Sequence, residues 1–372
     1  MMVKEIYRAV KFICCIEFWR MSLLWTLSLV ISHLRIFALR VWGHKYRNFP
    51  RQRVAPISAS NRPICIITGA TSGLGAAAAK ALLEEGFFVI LVGRSAHLLS
   101  KTKAKIHTLN ENAQLETFEV DLSSFSSIMK LKNSLVQWFS DMNLHPSIQL
   151  LINNAGILAT SYRTTDDGFD EMIMTNYMGA FCLTKVLLPL LIDSPVPSRI
   201  VSVSSFTHRN VYDLQVDEEF IYGKPSNFKQ YPFAHIYGCS KLCVLLLSYE
   251  LHQQFCKDKK SQLSVNVADP GAVKTNIMRE LPQCLSQLAF LVLNLLGILQ
   301  IPEKGVSSII DAALAPPEIS GMYFFGGNGR TIRSSPLSYD LMLAKRLWWI
   351  SSEIFLEMKH KSERSTALST CD

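Results

Sequence analysis

Residues 63–94 read PICIITGATSGLGAAAAKALLEEGFFVILVGR, and this stretch decides the fold. The run at 63–70 is short, apolar and rich in β-branched residues, which is typical of a buried strand. The segment at 71–86 begins with a glycine loop and continues as an alanine-rich helix, and a second strand pattern follows at 87–94. A strand, a glycine turn, a helix and another strand predict two parallel strands joined by a right-handed crossover.

The same alternation of strand and helix patterns continues along the chain. Further strand patterns lie at 114–122, 148–156, 199–205 and 263–271, and helix patterns lie between them at 124–140, 170–192 and 237–256. This order predicts an α/β fold with one doubly wound parallel sheet, helices on both of its faces, and ligands bound at the carboxyl ends of the strands. A length of 372 residues would allow two domains, but the continuous alternation indicates one catalytic domain over residues 63–357.

Composition excludes several other classes of protein. Apolar residues make up 49% of the chain and charged residues 18%, so a disordered or coiled-coil protein is excluded. The nine cysteines form no CxxC pair, and their odd number argues against a disulfide framework. No cysteine or histidine cluster has the spacing of a zinc site, so we expect no metal. The pattern indicates a reduced, cytosol-facing catalytic body.

The N-terminal segment carries most of the formal net charge of +8. Its basic residues flank the apolar run MSLLWTLSLVI at 21–31 and are accompanied by Trp19, Trp25 and Trp42. Basic residues around an apolar run favour a membrane surface over nucleic acid. We therefore predict a membrane anchor or interfacial segment at 1–48 and a linker at 49–62, with the buried amphipathic helix of a soluble protein as the alternative. The positive-inside rule puts the body on the cytosolic side of the membrane. We expect this membrane to be the endoplasmic reticulum or another endomembrane.

The glycine loop at 68–75, TGATSGLG, predicts a dinucleotide site. Its glycines allow a tight turn and a close approach of backbone to ligand, and the helix that follows offers its N-terminal amides to a pyrophosphate. The spacing is Gly-x3-Gly-x-Gly. The residues that we expect to contact the cofactor here are Thr68, Gly69, Thr71, Ser72, Gly73, Leu74 and Gly75.

Four motifs in order resemble the short-chain dehydrogenase/reductase family, whose members have a Rossmann-type fold. They are the glycine loop, the sequence Asn153-Asn154-Ala155-Gly156, a Tyr-x3-Lys pair formed by Tyr237 and Lys241 after Ser205, and Pro270-Gly271 with Thr275. This resemblance implies further cofactor contacts from Asn153, Ala155, Gly156, Tyr237, Lys241, Pro270, Gly271 and Thr275.

Tyr237 and Lys241 are the expected acid/base pair. Positions four apart lie on one face of a helix, so the two side chains can meet over the same cofactor. A phenol has a reference pKa of about 10, and the lysine ammonium with a positive nicotinamide would favour its charged form. Tyr237 is therefore the predicted general acid/base. The resemblance also implies that Lys241 binds the nicotinamide ribose, that Ser205 polarises the substrate oxygen, and that Asn176 holds the lysine through water.

The end of the second strand indicates which cofactor is bound. The strand ends in Gly93-Arg94-Ser95 without the carboxylate that NAD-preferring folds place on the ribose 2′-hydroxyl. Arg94 would accept a 2′-phosphate, so NADP(H) is predicted over NAD(H), with a solvated arginine as the alternative. By resemblance, Asp121 and Leu122 lie at the adenine ring, although an aspartate here could also be only a helix cap.

Two segments point to an apolar substrate. The insertion at 206–236 contains aromatic side chains that would either wall a pocket or pack as a surface loop: His208, Tyr212, Phe220, Tyr222, Phe228, Tyr231 and Phe233. The apolar run at 284–301 lies where this family has a mobile lid, and we expect a lid over about 276–302 that dips into the bilayer. The alternative is an ordinary lid or a homodimer face.

The insertion and the tail at 338–353 resemble the retinol-dehydrogenase-like branch of the family. This branch includes the WW-domain oxidoreductase-like proteins and the X-chromosome dehydrogenase/reductase. The expected activity is reversible, NADP(H)-dependent interconversion of a lipophilic alcohol and its carbonyl, of retinoid, isoprenoid or steroid type. A soluble broad carbonyl reductase and a non-catalytic NADP(H)-binding scaffold are the alternatives. Family members often pair through the helices at 124–140 and 170–192, which implies a possible homodimer, and we expect a flexible tail at 358–372.

Overall fold

The structure is a computed structural model that describes residues 2–41, 48–53, 62–223, 230–255 and 262–369. Trp42, the greater part of the predicted linker at 54–61, Phe228 of the insertion and the last three residues lie outside the described residues, so the predictions made for them are not addressed.

The described chain has one large parallel sheet and a small two-stranded piece beside it. The strands are β1 (Ile64–Thr68), β2 (Phe88–Gly93), β3 (Leu115–Glu119), β4 (Leu150–Asn153), β5 (Ser198–Val203), β6 (Leu263–Asp269), β7 (Ala272–Val273), β8 (Leu299–Gln300) and β9 (Tyr323–Phe325). Seven of these described strands form the parallel sheet in the order β3-β2-β1-β4-β5-β6-β9, and β7 pairs with β8. The order reverses between β1 and β4, which opens a crevice at the carboxyl ends of these strands.

Helices cover both faces of the sheet. They are α1 (Met2–Ile13), α2 (Ile16–Trp19), α3 (Thr26–Val41), α4 (Gly73–Glu84), α5 (Ala96–Leu109), α6 (Phe125–Asp141), α7 (Glu171–Ile173), α8 (Gly179–Ile192), α9 (Glu218–Tyr222), α10 (Phe233–Phe255), α11 (Gln283–Leu295), α12 (Pro302–Gly305), α13 (Ser307–Ala313) and α14 (Leu341–Ser369). π-helical turns join α2 to α3 at Arg20–Trp25 and α7 to α8 at Met174–Met178, and short 3₁₀ turns lie at Phe206–Asn210, Asn276–Met278 and Pro336–Tyr339.

Alternate residues of each strand enter two separate cores. In β1, Ile64 and Ile66 pack into the core beneath α6, α8 and α10, whereas Cys65 and Ile67 pack into the core beneath α4 and α13. All four side chains are almost completely buried. A strand that is buried on both faces needs apolar residues at successive positions, which explains the continuous apolar run at 63–70. The predicted doubly wound sheet is therefore confirmed.

The last helix differs from the sequence prediction. We expected a flexible tail from residue 358, but α14 continues without a break to Ser369. Its buried residues, Leu347, Ile350, Ile354 and Met358, recur at three- and four-residue intervals, so the apolar stripe that holds the helix extends past the predicted boundary.

Helix α14 covers the layer through which a homodimer was suggested. The Trp348 ring packs edge-on against Phe181 of α8 at 5.4 Å between centroids, and the Phe355 ring does the same against Phe125 of α6 at 5.6 Å. Part of the face formed by these two helices is thus occupied by the chain itself.

Two described helical stretches are long and apolar enough to cross a membrane by length and composition, Ile16–Ala38 and Glu171–Ile192. The second is mostly buried in the core. The first, near the N-terminus, lies on the body with Leu29 and Ile36 buried and with the Ser28 hydroxyl donating to Asn210 Oδ1 at 2.7 Å. Much of its remaining apolar surface is exposed. This segment therefore combines a face packed on the protein with a face open to a solvent or a membrane.

Candidate active site

A cavity of about 650 Å³ lies at the carboxyl ends of the central strands. It runs from the glycine loop and the end of β2, past the start of α10, to the lid. The predicted residues that line it are Thr68, Gly69, Thr71, Ser72, Gly73, Leu74, Arg94, Asp121, Leu122, Ala155, Gly156, Ser205, Tyr237, Lys241, Pro270, Gly271 and Thr275. The fold thus gathers most of the predicted site into one space.

Gly75 shapes the glycine loop without lining the cavity. A Cβ at Gly75 would lie 2.2 Å from Gly69 O and 2.7 Å from Asn154 Nδ2, so no side chain fits there. Gly69 has a φ of +64°, a left-handed conformation that favours glycine. The loop is therefore a tight turn in which backbone lies against backbone.

The loop is fastened to the end of β4 by Thr68 and Asn154. The Thr68 hydroxyl accepts from the backbone N–H groups of Asn154 and Ala155, each at 3.0 Å. In return the Asn154 side chain donates to Thr68 O at 2.8 Å. Sequence reasoning gave Asn154 no role, although a polar side chain directly after a buried strand was the available signal.

Asn153, like Gly75, is a predicted cofactor contact that does not line the cavity. Its side-chain amide is buried and donates to the Thr184 hydroxyl on α8 at 3.0 Å. Successive side chains of a strand point to opposite faces, so Asn153 and Asn154 cannot both face the loop. The Asn153 side chain therefore faces α8 and not the glycine loop, and a contact of this residue with the cofactor stays a prediction.

Tyr237 and Lys241 lie one turn apart on α10, and both line the cavity. The Lys241 ammonium lies 5.7 Å from the centroid of the Tyr237 ring and donates to Val203 O at 3.1 Å. Ser205 follows β5 and faces the same space, where it caps the 3₁₀ turn at Phe206–Asn210. These three side chains therefore face one cavity, in which Tyr237 lies next to both Ser205 and Lys241.

Burial controls the electrostatics of this pair. Burial raises the pKa of Tyr237 well above its ordinary value, the carboxylate of Asp269 adds to the rise, and a hydrogen bond with Ser205 opposes it. Burial also lowers the pKa of Lys241 to about 8, against the influence of Asp269. The groups of the chain itself thus favour a neutral phenol, whereas the predicted phenolate depends on the lysine ammonium together with a positive nicotinamide.

Asn176 braces the catalytic helix from the π-helical turn at Met174–Met178. Its Oδ1 accepts from Ile157 N at 2.7 Å, and its Nδ2 donates to Ile157 O at 3.0 Å and to the Ser240 hydroxyl at 3.1 Å. A Cβ at Gly156 would come within 3.3 Å of both Asn176 Oδ1 and Lys241 Nζ. Gly156 therefore lies close to both groups, and a side chain at this position would crowd them.

His208 holds the backbone of Ser205. Its Nε2 accepts from Ser335 N at 3.1 Å, so the ring proton is on Nδ1, which donates to Ser205 O at 2.5 Å. Burial, with help from the positive charge of Arg209, lowers the pKa of His208 to about 3, and the hydrogen bond to Ser205 O opposes this shift. A neutral, completely buried imidazole therefore fixes the segment that carries Ser205.

The predicted aromatic residues of the insertion that the structure describes do not line the cavity, although Phe206 at its start does. Of the members that the structure describes, His208 is buried beneath Ser205, Tyr212 is 83% exposed, and the Tyr231 hydroxyl donates to Asp170 Oδ2 at 2.7 Å. Phe220, Tyr222 and Phe233 pack against the protein core. The prediction that these side chains wall the pocket was wrong. They do not pack on one another either, because the Tyr222 ring stacks on Phe169 and the Phe233 ring stacks on Phe12. The apolar lining comes instead from the N-terminal segment and from α11.

Arg94 lies at the opposite end of the cavity from Tyr237. Its side chain is 58% exposed, and its Nη1 lies 3.9 Å from Glu171 Oε1. Nearby, Asp121 Oδ1 accepts from Ser123 N at 2.8 Å and from the Ser123 hydroxyl at 2.6 Å, while Ser124 caps α6. Asp121 therefore shapes the turn before the helix and also lines the cavity.

The segment after β6 closes the cavity from the other side. Gly271 N donates to Asp269 Oδ1 at 2.8 Å, and Gly271 has a φ of +71°. A Cβ at Gly73 would lie 3.1 Å from Thr275 Cγ2, so this segment lies against the glycine loop. The predicted lid follows as a 3₁₀ turn and α11, with the apolar side chains of Leu285, Ala289 and Leu293 lining the cavity.

This geometry defines the class of protein. A glycine loop under a helix N-terminus, at the switch point of a doubly wound sheet and beside a Tyr–Lys–Ser group, is the site of a nicotinamide-dependent oxidoreductase.

Comparisons with known proteins give the family. The sequence profile of short chain dehydrogenase matches residues 63–216. Human polyprenol dehydrogenase is 33% identical over 296 residues, which cover 78% of this chain and 84% of that protein. Mouse retinol dehydrogenase 14 is 32% identical, covering 77% of this chain and 84% of that protein, and the chloroplastic short-chain dehydrogenase TIC 32 A of Brassica napus is 30% identical, covering 78% and 87%.

A crystal structure of an uncharacterised protein from Mycobacterium paratuberculosis has a TM-score of 0.59 at 26% identity and covers 81% of this chain and 95% of that chain. The chain belongs to the short-chain dehydrogenase/reductase family, and its relatives support the retinol-dehydrogenase-like branch.

Proposed function

We propose that the protein is an NADP(H)-dependent oxidoreductase that interconverts a lipophilic alcohol and its aldehyde or ketone at a membrane surface. The observation that carries this proposal is the continuity of the cavity, which joins the glycine loop and Tyr237 to an apolar space between the N-terminal segment and α11. A lipid carbonyl in that space would reach the acid/base pair.

The residues present fit a nicotinamide dinucleotide. The glycine loop leaves room for backbone to approach a pyrophosphate at the N-terminus of α4. Lys241 donates one N–H to Val203 O and lines the cavity. Its ammonium therefore has further N–H groups that can donate to the ribose hydroxyls. When bound, the cofactor supplies the hydride at C4 of its nicotinamide.

Tyr237 would handle the proton in both directions. In reduction, the neutral phenol that burial favours donates its proton to the substrate oxygen, and Ser205 hydrogen-bonds the same oxygen. In oxidation, the phenolate has to accept a proton, and the positive charges of Lys241 and of an oxidised nicotinamide would favour that form. Asn176 and His208 would position Lys241 and Ser205 respectively.

The lipophilic substrate class is supported by the relatives and by the surface around the cavity. The relatives include enzymes named for polyprenol and for retinol. Large exposed apolar side chains lie on both segments that border the apolar space, among them Val10, Leu23, Leu24 and Leu27 on the N-terminal segment and Leu288, Leu291, Leu295 and Leu296 on the lid. Such surfaces are typical of segments that rest in the headgroup region of a bilayer. A cytosol-facing body and a homodimer stay predictions.

The test is NADPH oxidation by the full-length protein with a series of aldehydes of increasing chain length, presented in vesicles. Each methylene that enters the apolar space contributes about 0.8 kcal/mol, so kcat/KM is expected to rise by at least about tenfold between short and long members. Equal rates with short, water-soluble aldehydes would favour a broad carbonyl reductase. NADPH binding without turnover of any carbonyl would favour the non-catalytic scaffold.

The preference for NADP(H) is tested at Arg94. Replacing Arg94 with alanine is expected to raise the KM for NADPH by about 10- to 100-fold, because it removes the binding free energy of a hydrogen bond to the charged 2′-phosphate. The KM for NADH should stay nearly unchanged. Lys101→Ala on the exposed face of α5 serves as the matched control for loss of a surface cation. Equal effects of Arg94→Ala on both cofactors would contradict the assignment of the 2′-phosphate to Arg94.

A further inference from the structure

The N-terminal segment contacts the beginning of the catalytic helix through a buried carboxylate. Glu17 is only 2% exposed, and its Oε2 accepts from Ala234 N at 3.0 Å and from His235 N at 3.2 Å, while Oε1 accepts from Arg20 at 2.9 Å. The first N–H groups of a helix have no partner within the helix, and a negative charge at that end is favourable. Glu17 thus caps α10 from a position 217 residues earlier in the chain.

The same segment contacts the catalytic tyrosine directly. The Trp25 ring lies 5.5 Å from the Tyr237 ring, and the Phe12 ring stacks on Phe233, the first residue of α10, also at 5.5 Å. Trp25 lines the cavity together with Phe18 and Met21. The Tyr237 ring therefore contacts a side chain that lies outside the catalytic domain predicted from the sequence.

The opposite wall of this apolar space is α11. Leu285, Leu288 and Ala289 line the cavity from that helix, and α1 contacts α11. A substrate that reaches Tyr237 would thus pass between two apolar elements, the N-terminal segment and α11 of the catalytic domain.

These contacts require the N-terminal segment to lie along the body. Leu29 and Ser32 are 1% exposed, and Ile36 is 8% exposed. If the segment crossed a bilayer away from the body, these residues would leave their partners, and Glu17 would leave α10. The packing is therefore that of a segment lying along the body and not of one that leaves it to cross a bilayer.

We propose that residues 16–29 form one wall of the substrate site, in which Trp25 determines specificity by holding the head of the lipid substrate beside Tyr237. Glu17 is a positioning residue that fixes this wall to the start of α10. The inference rests on the proposed function, and it turns the N-terminal segment from a detachable anchor into a part of the active site.

The test compares full-length variants in detergent micelles, so that membrane attachment does not enter the result. Trp25→Ala is expected to lower kcat/KM for a long-chain aldehyde by about 10- to 100-fold, mainly through KM, because it removes a large aromatic contact. NADPH affinity, measured by nucleotide fluorescence, should stay within about twofold, since Trp25 does not contact the glycine loop. Trp25→Phe should restore most of the kcat/KM, and Trp349→Ala, on the exposed face of α14, is the matched control and should resemble wild type.

Glu17 is tested by the same assay with a different expected pattern. Glu17→Ala is expected to lower kcat by about tenfold for long and short aldehydes alike, since it shifts α10 rather than a contact with the lipid chain. Glu17→Gln keeps one acceptor oxygen and should recover part of the rate.

The outcomes separate the two proposals. If wild type reduces no carbonyl, the proposed function fails. If wild type is active but Trp25→Ala behaves like Trp349→Ala, the proposed wall is overturned while the proposed function stands. Should Trp25→Ala fail to bind NADPH, Met21→Ala on the same wall is tested in its place. An unchanged KM of Met21→Ala for the long aldehyde would overturn the inference.

Discussion

Replacing Tyr237 with phenylalanine is expected to lower kcat by at least about a thousandfold and to leave the dissociation constant of NADPH within about threefold of wild type. The substitution removes the hydroxyl that we propose as the proton donor and retains the ring, which packs against Trp25 at 5.5 Å. Steady-state reduction of a lipid aldehyde measures kcat, and nucleotide fluorescence measures binding.

Tyr212→Phe is the matched control for this experiment, because Tyr212 is 83% exposed and belongs to the insertion just before α10. It should keep the wild-type kcat. Retention of more than about a tenth of the rate in Tyr237→Phe would contradict the role of Tyr237, since general acid/base groups typically contribute 10²- to 10⁴-fold.

Replacing Gly75 with alanine is expected to weaken NADPH binding by more than about a hundredfold. The added Cβ would lie 2.2 Å from Gly69 O, which is backbone and cannot move without opening the turn. Because the turn brings the N-terminus of α4 to the pyrophosphate, opening it removes several hydrogen bonds to charged groups together. Fluorescence titration with NADPH measures the change.

Gly86→Ala separates the clash at Gly75 from backbone strain. Gly86 has a φ of +93°, but nothing lies within 4 Å of an added Cβ. This variant should lose some thermal stability and keep its affinity for NADPH. If Gly75→Ala bound NADPH as tightly as Gly86→Ala does, the glycine loop would not be the dinucleotide site.

The sheet and most of the cavity lining could be predicted because they depend on local patterns. The apolar runs, the glycine loop and the Tyr-x3-Lys spacing each fix a few neighbouring residues, and the alternation of strands and helices fixes their order. The crevice at the carboxyl ends of the strands then brings Arg94, Ser205 and Tyr237 to one space without further information.

The features that could not be predicted from the sequence depend on which face of a strand a side chain occupies and on contacts between residues far apart in the chain. Asn153 and Asn154 are adjacent and chemically identical, and only the end of β4 decides which of them faces the glycine loop. The composition of the insertion shows that it is aromatic, but not that Tyr222 would stack on Phe169 at 4.4 Å instead of entering the cavity.

The N-terminal wall could not be predicted for the same reason. A membrane anchor and a pocket wall have the same apolar composition, and the contact of Glu17 with α10 leaves no trace in local sequence. The acidic Glu17 just before the apolar run shows that a charge lies there, but not which part of the chain it contacts.

The measurement that tests the central claim most directly is the transfer of tritium from C4-tritiated NADPH into lipid products. Membranes that carry the full-length protein, or its Tyr237→Phe variant, are incubated with a mixture of retinoid, isoprenoid and steroid carbonyls, and the organic extract is counted and separated. We predict label in a single class of lipid alcohol with the wild-type protein and none above background with Tyr237→Phe. Equal label in both samples, or none in either while NADPH is bound, would contradict the proposal of a lipid-carbonyl reductase.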